Sequence, residues 1–319
     1  MTIHQMVSGN PQLLEPFSGL GEGLNMTGIV KSVALAVGAL TALGLASPAA
    51  AQFSGGTCAP EALQAVTDKF LEAQRTGDTT LLPLGEWLDY NENNRPASML
   101  SGILRKPQTI DWYRVHYDTT ACRSFIEMIV TNPDHPYVLA TQLDVRGTSV
   151  GRINTIITDK GDWLFDAAKT LEYTKAENWE PIPEAQRNTR KELIAAADAY
   201  LDLFSDKTVQ VPWGTPCARL EGSAYTAKGT AQDSCNVGVP ENVEMADRSY
   251  VVDPELGSVG VFLKMGENAR PDSHLFRIEN GKIRYIHTVT NCGDQDNCGF
   301  SPFAEMLQRN PDIHPRVGG

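Results

Sequence analysis

The chain has 319 residues, is 41% apolar and carries a formal net charge of −12. That length and apolar fraction are enough for one large or two medium hydrophobic cores, which indicates a globular protein. The acidic balance is unsuited to the phosphate backbone of nucleic acids, so we exclude a nucleic-acid partner.

The N-terminal residues 1–51 have the pattern of an extension followed by a secretory signal peptide. Lys31 precedes the apolar run 33–45, and small residues lead to a cleavage site near Ala51. The run is shorter than the roughly 20 residues of a spanning helix, so we expect no stable membrane insertion. We therefore predict a periplasmic or secreted mature protein.

The next part of the chain has the pattern of a helix followed by strands. Leu63, Val66 and Phe70 recur at intervals of three and four residues, and Pro60 suits the first turn of the helix that they predict. A stretch rich in Pro, Gly and Asn follows, which we expect to be irregular. Segments rich in β-branched and aromatic residues then predict strands at 123–130, 138–145 and 152–158.

The second half of the chain repeats this order after a linker near 174–188. Thr189 and Glu192 form a capping-box signature at the start of a helical stripe that ends at Tyr200 and Phe204. Predicted strands follow at 248–252, 259–265, 275–278 and 282–290. A helix followed by antiparallel strands indicates an α+β fold.

Repeated landmarks predict that the two halves are copies of one fold unit. Gly281-Lys282-Ile283 repeats Gly151-Arg152-Ile153 at a spacing of about 130 residues, and the stripe ending at Tyr200 repeats the one ending at Phe70 at the same spacing. The triplets Arg123-Ser124-Phe125 and Arg248-Ser249-Tyr250 form a third echo. We expect a first α+β domain over 52–175, a second over 176–292 and a tail over 293–319, with the domains packed as a pseudo-dimer.

Six cysteines follow the predicted cleavage site, and an exported protein is expected to pair them as disulfides. Sequence locality favours the pairs Cys58–Cys122, Cys217–Cys235 and Cys292–Cys298. No pair has CxxC spacing, so we predict no metal site.

Two segments of the first half carry candidate functional residues. In the first, Tyr90 and Glu92 are candidates for acid–base catalysis and Asp89 and Asn93 for substrate binding, although the same composition is typical of a solvated turn. In the second, His116 is the leading catalytic candidate, with Trp112 and Tyr113 beside it as substrate-binding residues. The alternative is a core histidine held by hydrogen bonds.

The second half carries three more candidates. Two-residue alternation places Tyr285 and His287 on one strand face with Ile283 and Val289, where they would line a pocket or an interface between packed units. We predict that both are catalytic. The first half has Thr155 and Ile157 at the matching positions, so the two halves are not catalytically equivalent on this strand.

Asp272, Ser273 and His274 are consecutive, but strand neighbours point to opposite faces and cannot all converge. We therefore reject a serine hydrolase and retain His274 as a candidate substrate-binding residue.

Several motifs together resemble a known group of proteins. They are Asp162-Trp163-Leu164-Phe165, the segment 211–217, Tyr250-Val251-Val252-Asp253, and Pro271 to His274 with His287-Thr288. Over about residues 57–292 the chain resembles secreted fungal and bacterial proteins similar to SnoaL-like polyketide cyclases and scytalone dehydratase, within the nuclear transport factor two-like superfamily.

The resemblance implies two tandem cone-shaped α+β barrels, each with helices closing a curved sheet around an apolar pocket. It also implies cofactor-free lyase or isomerase chemistry on a bulky aromatic or polycyclic small molecule, such as a lignin-derived dimer that loses formaldehyde. A cyclase directing a pericyclic ring closure and a secreted carrier of a hydrophobic ligand are the alternatives, and the resemblance does not choose among them. An oligomer is compatible with each.

Overall fold

The computed structural model describes residues 58–301 together with residues 305, 308 and 309. The predicted extension and signal peptide of residues 1–51 lie outside the described residues. The described part of the chain is an α+β structure with two six-stranded sheets.

The first unit consists of one helix and the first sheet. Helix α1 is Pro60–Thr76, and the strands are β1 Leu84–Glu92, β2 Arg95–Pro96, β3 Trp112–Asp118, β4 Arg123–Val130, β5 Tyr137–Arg146 and β6 Ser149–Thr158. Their order in the sheet is β2-β1-β6-β5-β4-β3. Only the β1–β6 pair of this sheet is parallel.

The second unit has the same topology. Along the chain, helix α2, Ala167–Ala176, connects the two units, and helix α3, Arg190–Asp202, follows it. The strands are β7 Trp213–Glu221, β8 Ala224–Tyr225, β9 Met245–Asp253, β10 Ser258–Met265, β11 Arg270–Glu279 and β12 Lys282–Thr290. The order β8-β7-β12-β11-β10-β9 repeats that of the first sheet, including one parallel pair, β7–β12. Two tandem α+β units are therefore present, as the sequence predicts.

Local signals explain where the helices begin and end. Pro60 occupies the first turn of α1, and Gly77 ends that helix with φ of 70°, a left-handed conformation that favours glycine. Thr189 and Glu192 form the predicted capping box at the start of α3.

All seven predicted strands exist, and those at 123–130 and 282–290 have the predicted bounds. Three long strands, β1, β3 and β7, lie in stretches that we expected to be irregular. The burial of β1 and β3 is only partial, so their sequences do not alternate cleanly between apolar and polar residues.

Strand pairing shows which positions of the two units correspond. Thr141 on β5 faces Thr155 on β6, and His274 on β11 faces Thr288 on β12. The two similar triplets that begin at Gly151 and Gly281 therefore do not occupy equivalent positions of the two units. Gly151 lies within β6, whereas Gly281 lies in the turn before β12. The real correspondence of these hairpins is displaced by about three residues, since β5 and β6 are matched by β11 and β12.

The third echo is also wrong, because Arg123 starts β4 whereas Arg248 lies on β9, the counterpart of β3. Thr155 and Ile157 likewise correspond to Thr288 and Thr290, not to Tyr285 and His287.

A β-bulge changes the predicted faces of β12. Ile283 pairs with Ile278 and Tyr285 pairs with Arg277, which leaves Arg284 as the extra residue. Ile283 consequently packs in the core under α3, whereas Tyr285 packs between the two units. The prediction that these two residues share a face is wrong for this reason.

Three apolar clusters hold the fold together. One lies between α1 and the first sheet and includes Phe70, and another lies between α3 and the second sheet and includes Tyr200. The third joins the outer faces of the two sheets, with Phe125 meeting Phe262 at 5.9 Å between ring centroids. Each sheet is therefore covered on both faces, which explains why β4 and β10 are buried along almost their whole length.

The three disulfides are the predicted ones: Cys58–Cys122, Cys217–Cys235 and Cys292–Cys298. Such a set is typical of proteins that fold in an oxidising compartment. Among the residues that the structure describes, no helix is long and apolar enough to cross a membrane.

Candidate functional site

The second unit contains a cavity of about 380 Å³. This volume falls within the range of roughly 300–1,000 Å³ that is usual for small-molecule sites. Most of the wall is apolar, and its side chains include Phe204, Met245, Met265, Val239 and Phe300. The polar wall residues lie mainly on β7, β11 and β12: Arg219, Glu221, His274, Thr288 and Thr290.

A buried histidine–aspartate pair forms part of this wall. Asp272 and His274 are two residues apart on β11 and therefore point to the same face. His274 Nδ1 lies 2.6 Å from Asp272 Oδ1, and Asp272 Oδ2 accepts a hydrogen bond of 2.5 Å from Thr290 Oγ1. The carboxylate thus fixes the imidazole ring and favours the proton on Nδ1, which leaves Nε2 as the basic nitrogen.

The corresponding positions of the first unit lack these groups. Leu139 and Ile157 form the pair that matches Asp272 and Thr290, and Thr141 stands where the second unit has His274. In the first unit Thr141 and Thr155 form a hydrogen bond of 3.0 Å between their hydroxyls. In the second unit His274 is bonded to Asp272 instead, and the buried hydroxyl of Thr288 has no partner among the described residues.

An ion pair lies on β7. Arg219 Nε is 3.0 Å from Glu221 Oε1, and Arg219 Nη1 donates to the carbonyls of Cys235 and Val237. Burial opposes the charge on Arg219, but the negative charge and hydrogen bonding of Glu221 counteract it, and the pKa of the guanidinium is raised. Arg219 therefore stays charged, and its charge is balanced by Glu221.

Tyr200 from α3 lies next to this polar group. Its ring is fully buried and 5.7 Å from the His274 ring, and its hydroxyl has no hydrogen-bond partner in the described part of the chain. Burial raises the pKa of the Tyr200 phenol, so the side chain is neutral at ordinary pH.

The segment after β12 closes one side of the cavity. Phe300 packs edge-on against Trp163 at 4.8 Å, and both rings line the cavity. Arg270 supports this segment by donating to the carbonyl of Cys298, within the loop closed by the Cys292–Cys298 disulfide. Part of the predicted tail is thus a wall of the site, together with Trp163.

Of the predicted site residues, His274 is the one that lines this cavity. His116 is fully buried between the units, where its Nδ1 forms a hydrogen bond of 2.7 Å with the Ser258 hydroxyl. The rings of Phe125 and Trp179 enclose it at 5.9 and 5.5 Å. Burial lowers the pKa of His116 well below its ordinary value, so this imidazole is neutral.

Tyr285 and His287 also lie between the units, which is one of the two locations that the sequence leaves open. Tyr285 stacks on Trp179 at 5.8 Å. His287 bridges two buried carboxylates, with Nδ1 3.0 Å from Glu127 and Nε2 2.6 Å from Glu177. Arg114 lies 3.7 Å from Glu127. The negative charges of the two carboxylates are therefore balanced by the positive charges of Arg114 and the protonated His287.

The segment 89–94 forms the end of β1 and a tight turn. Asn93 has φ of 50°, and its side chain accepts a hydrogen bond of 2.8 Å from the Ile157 amide. Asp89 is exposed and forms an ion pair of 2.8 Å with Arg152. Asn93 is therefore a turn residue, which is the alternative that the composition of segment 89–94 indicates.

Tyr90 and Glu92 point into the core of the first unit. The Tyr90 hydroxyl donates to Glu92 Oε1, which also accepts a hydrogen bond of 2.5 Å from the Ile103 amide. Ile103 and Leu104 are buried beside them and pack in the core. The chain's own residues therefore occupy the space around Glu92.

Trp112 and Tyr113 lie near the outer edge of the first sheet. The guanidinium of Arg114 sits 4.7 Å above the Trp112 ring, and that of Arg75 sits 5.4 Å from the Tyr113 ring, which is 44% exposed. Neither residue lies in the cavity of the second unit.

Three polar residues of the site, Asp272, Arg219 and Glu221, are not predicted from the sequence. Asp272 was rejected as part of a serine triad, although its spacing of two residues from His274 already indicated a pair on one strand face. Arg219 and Glu221 were missed because β7 was not predicted. Arg219 and Glu221 are also two residues apart on one strand, so a prediction of β7 would have placed both side chains on the same face.

A family model described as a domain of unknown function (DUF8021) matches residues 186–290. This stretch begins just before α3 and ends with β12, so it contains the helix and the whole sheet of the second unit, with the Arg219–Glu221 and Asp272–His274 pairs. No curated protein matches the chain.

Proposed function

We propose that the protein is a cofactor-independent lyase or isomerase that uses His274 for general acid–base chemistry in the cavity of the second unit. One observation carries the proposal: a buried histidine, held by Asp272 at 2.6 Å, lies on the wall of a largely apolar cavity of about 380 Å³. General acid–base assistance of this kind contributes about 10²- to 10⁴-fold to the rate.

The substrate that we propose is an aromatic small molecule, such as a lignin-derived dimer with a free phenol. His274 Nε2 removes the phenol proton, and the benzylic hydroxyl takes up a proton and leaves as water, which gives a quinone methide. A second deprotonation, at the terminal hydroxymethyl group, breaks the adjacent carbon–carbon bond and releases formaldehyde. The electrons of that bond form a double bond to the benzylic carbon, and the π electrons displaced there return to the ring and restore the aromatic phenolate, so no oxidant or reductant is needed.

The proposed fold identity is the cone of the nuclear transport factor two-like superfamily. Its support is the repeated arrangement of one helix against one face of a six-stranded sheet, with an apolar core between them. We further propose that the mature protein is periplasmic or secreted, which its three disulfides support.

The test is turnover by the exported, disulfide-bonded protein. A panel of lignin-type dimers and polycyclic phenols is incubated with it, and formaldehyde and ultraviolet spectra are followed. We expect turnover that His274→Gln lowers by about 10²- to 10⁴-fold. Asp272→Asn should also lower it, because the imidazole then loses the group that orients it.

Ser273→Ala is the matched control, because Ser273 lies between the two residues on the opposite face of β11. Turnover that survives His274→Gln would contradict the acid–base proposal and favour a cavity that directs a pericyclic ring closure. Tight ligand retention without turnover of any panel member would favour a carrier.

A further inference from the structure

The two units place equivalent carboxylates in different surroundings. Glu92 pairs with Thr155 across the parallel strands of the first unit, and Glu221 pairs with Thr288 in the second. Since Thr155 and Thr288 correspond, Glu92 and Glu221 occupy the same position of the fold.

In the first unit the chain itself supplies a phenol to this carboxylate. The Tyr90 hydroxyl donates to Glu92, and Ile103 and Leu104 fill the neighbouring core. In the second unit the position of Tyr90 is taken by Arg219, which pairs with Ile286 as Tyr90 pairs with Ile153. No phenol of the described chain donates to Glu221, and its side chain, 18% exposed, lines the cavity.

The charged side chains of the cavity wall all have partners. Arg219 pairs with Glu221 at 3.0 Å, His274 with Asp272 at 2.6 Å, and Arg309 with Glu305 at 3.3 Å. Within the described residues the cavity therefore offers no unpaired cation to a carboxylate or phosphate. An anionic ligand would lose its hydration without gaining a counter-charge.

We propose that this cavity selects an uncharged aromatic ligand whose phenolic hydroxyl donates a hydrogen bond to Glu221, in the way that Tyr90 does to Glu92. The inference rests on the proposed function and narrows its substrate class to neutral phenols. The apolar wall accepts the ring. In the bound ground state the carboxylate oxygen of Glu221 not facing Arg219 accepts a hydrogen bond from the hydroxyl, and in turnover the hydroxyl turns to give its proton to His274 Nε2.

The test is equilibrium binding at pH 7 by calorimetry, which needs no turnover. Three probes of similar shape are compared: 2-naphthol, 2-methoxynaphthalene, which has no donor, and 2-naphthoate, which is charged. A hydrogen bond to a charged group contributes about 1.5–3 kcal/mol, so naphthol should bind roughly 10- to 150-fold tighter than the ether. Naphthoate should bind weakest.

Glu221→Gln gives a second readout. The variant frees Arg219 from its counter-charge, so naphthoate should bind tighter to it than to the wild type, while the advantage of naphthol over the ether shrinks. Glu86→Gln, which removes the same charge at an exposed position of β1, should leave all three affinities unchanged.

Equal binding of naphthol and its ether by the wild type, or preferred binding of naphthoate, would overturn the inference even if Glu221→Gln failed to fold. Selective binding of naphthol by a protein that turns over no phenol would leave this inference standing and contradict the proposed function. Turnover of a panel member by a protein that shows no preference for naphthol would support the proposed function and contradict this inference.

Discussion

The clearest stability prediction concerns His287, which the structure places between two buried acids. Its ring is 2% exposed and lies between Glu127 of the first sheet and Glu177 of the segment after α2. Burial alone would disfavour the imidazolium, but the charges of Glu127 and Glu177 outweigh it and raise the pKa of His287 to about 10. The protonated ring therefore links the two units.

The magnitude follows from the difference between the folded and unfolded pKa values of this group. A rise from 6.5 to about 10 corresponds to roughly 5 kcal/mol of folding free energy, at about 1.4 kcal/mol per pH unit. Because the folded pKa is the higher one, this stability is fully present below pH 6.5 and is lost as the pH rises towards 10. Between pH 7 and pH 9 the free energy of unfolding should fall by about 3 kcal/mol.

The assay is guanidinium unfolding of the wild type and of His287→Gln at pH 7, 8 and 9. The variant leaves Glu127 and Glu177 without their shared cation, so at pH 7 it should be less stable by roughly 3–5 kcal/mol. Its stability should also depend less on pH. His135→Gln, at an exposed position, is the control and should keep the wild-type slope. A wild type with no slope over this range, or a variant with the full slope, would refute the reasoning.

Two further predictions concern the contact between the units. Gly260→Ala would place a methyl group 2.4 Å from the fully buried Phe125 ring, so we expect a loss of about 1–3 kcal/mol in thermal or chemical unfolding. Gly85→Ala, whose nearest neighbour would lie at 3.4 Å, should stay near wild type; an equal loss in both variants would contradict the steric argument. Asp118→Asn should cost about 1.5–3 kcal/mol, because this buried carboxylate accepts 2.6 Å and 2.9 Å hydrogen bonds from the partly exposed Arg190 and a β9 backbone amide. Unfolding that Asp118→Asn leaves unchanged would show that this link between the units carries no stability.

The elements with a strong periodic signal could be predicted from sequence. The stripes containing Phe70 and Tyr200 form helices because each needs one apolar face, and Thr189 marks the start of the second through its capping box. Strands β4 and β12 were predicted with the right bounds because β-branched and aromatic residues dominate them.

The candidate site was predicted only in part. His274 was identified as a site residue, but its partner Asp272 was not, because both precede the predicted strand 275–278 and lie together on β11 only in the structure. The titratable residues Tyr90, His116 and His287 attract attention in the sequence equally, yet the structure places them in the first core or between the units. Residue type shows that a group can titrate, whereas its surroundings depend on which elements pack against it.

The sequence by itself determined the α+β class and the repetition of a helix-and-sheet unit, because these depend on local periodicity and composition, and it favoured the three disulfide pairs that the structure contains. Tertiary structure alone decided the strand register, including the bulge at Arg284 that turns Tyr285 away from Ile283. It also decided that Ile103 and Leu104 fill the first unit around Glu92, while the matching Glu221 of the second unit lines a cavity. Pairing and packing join residues far apart in the chain, and no local pattern records which of them will meet.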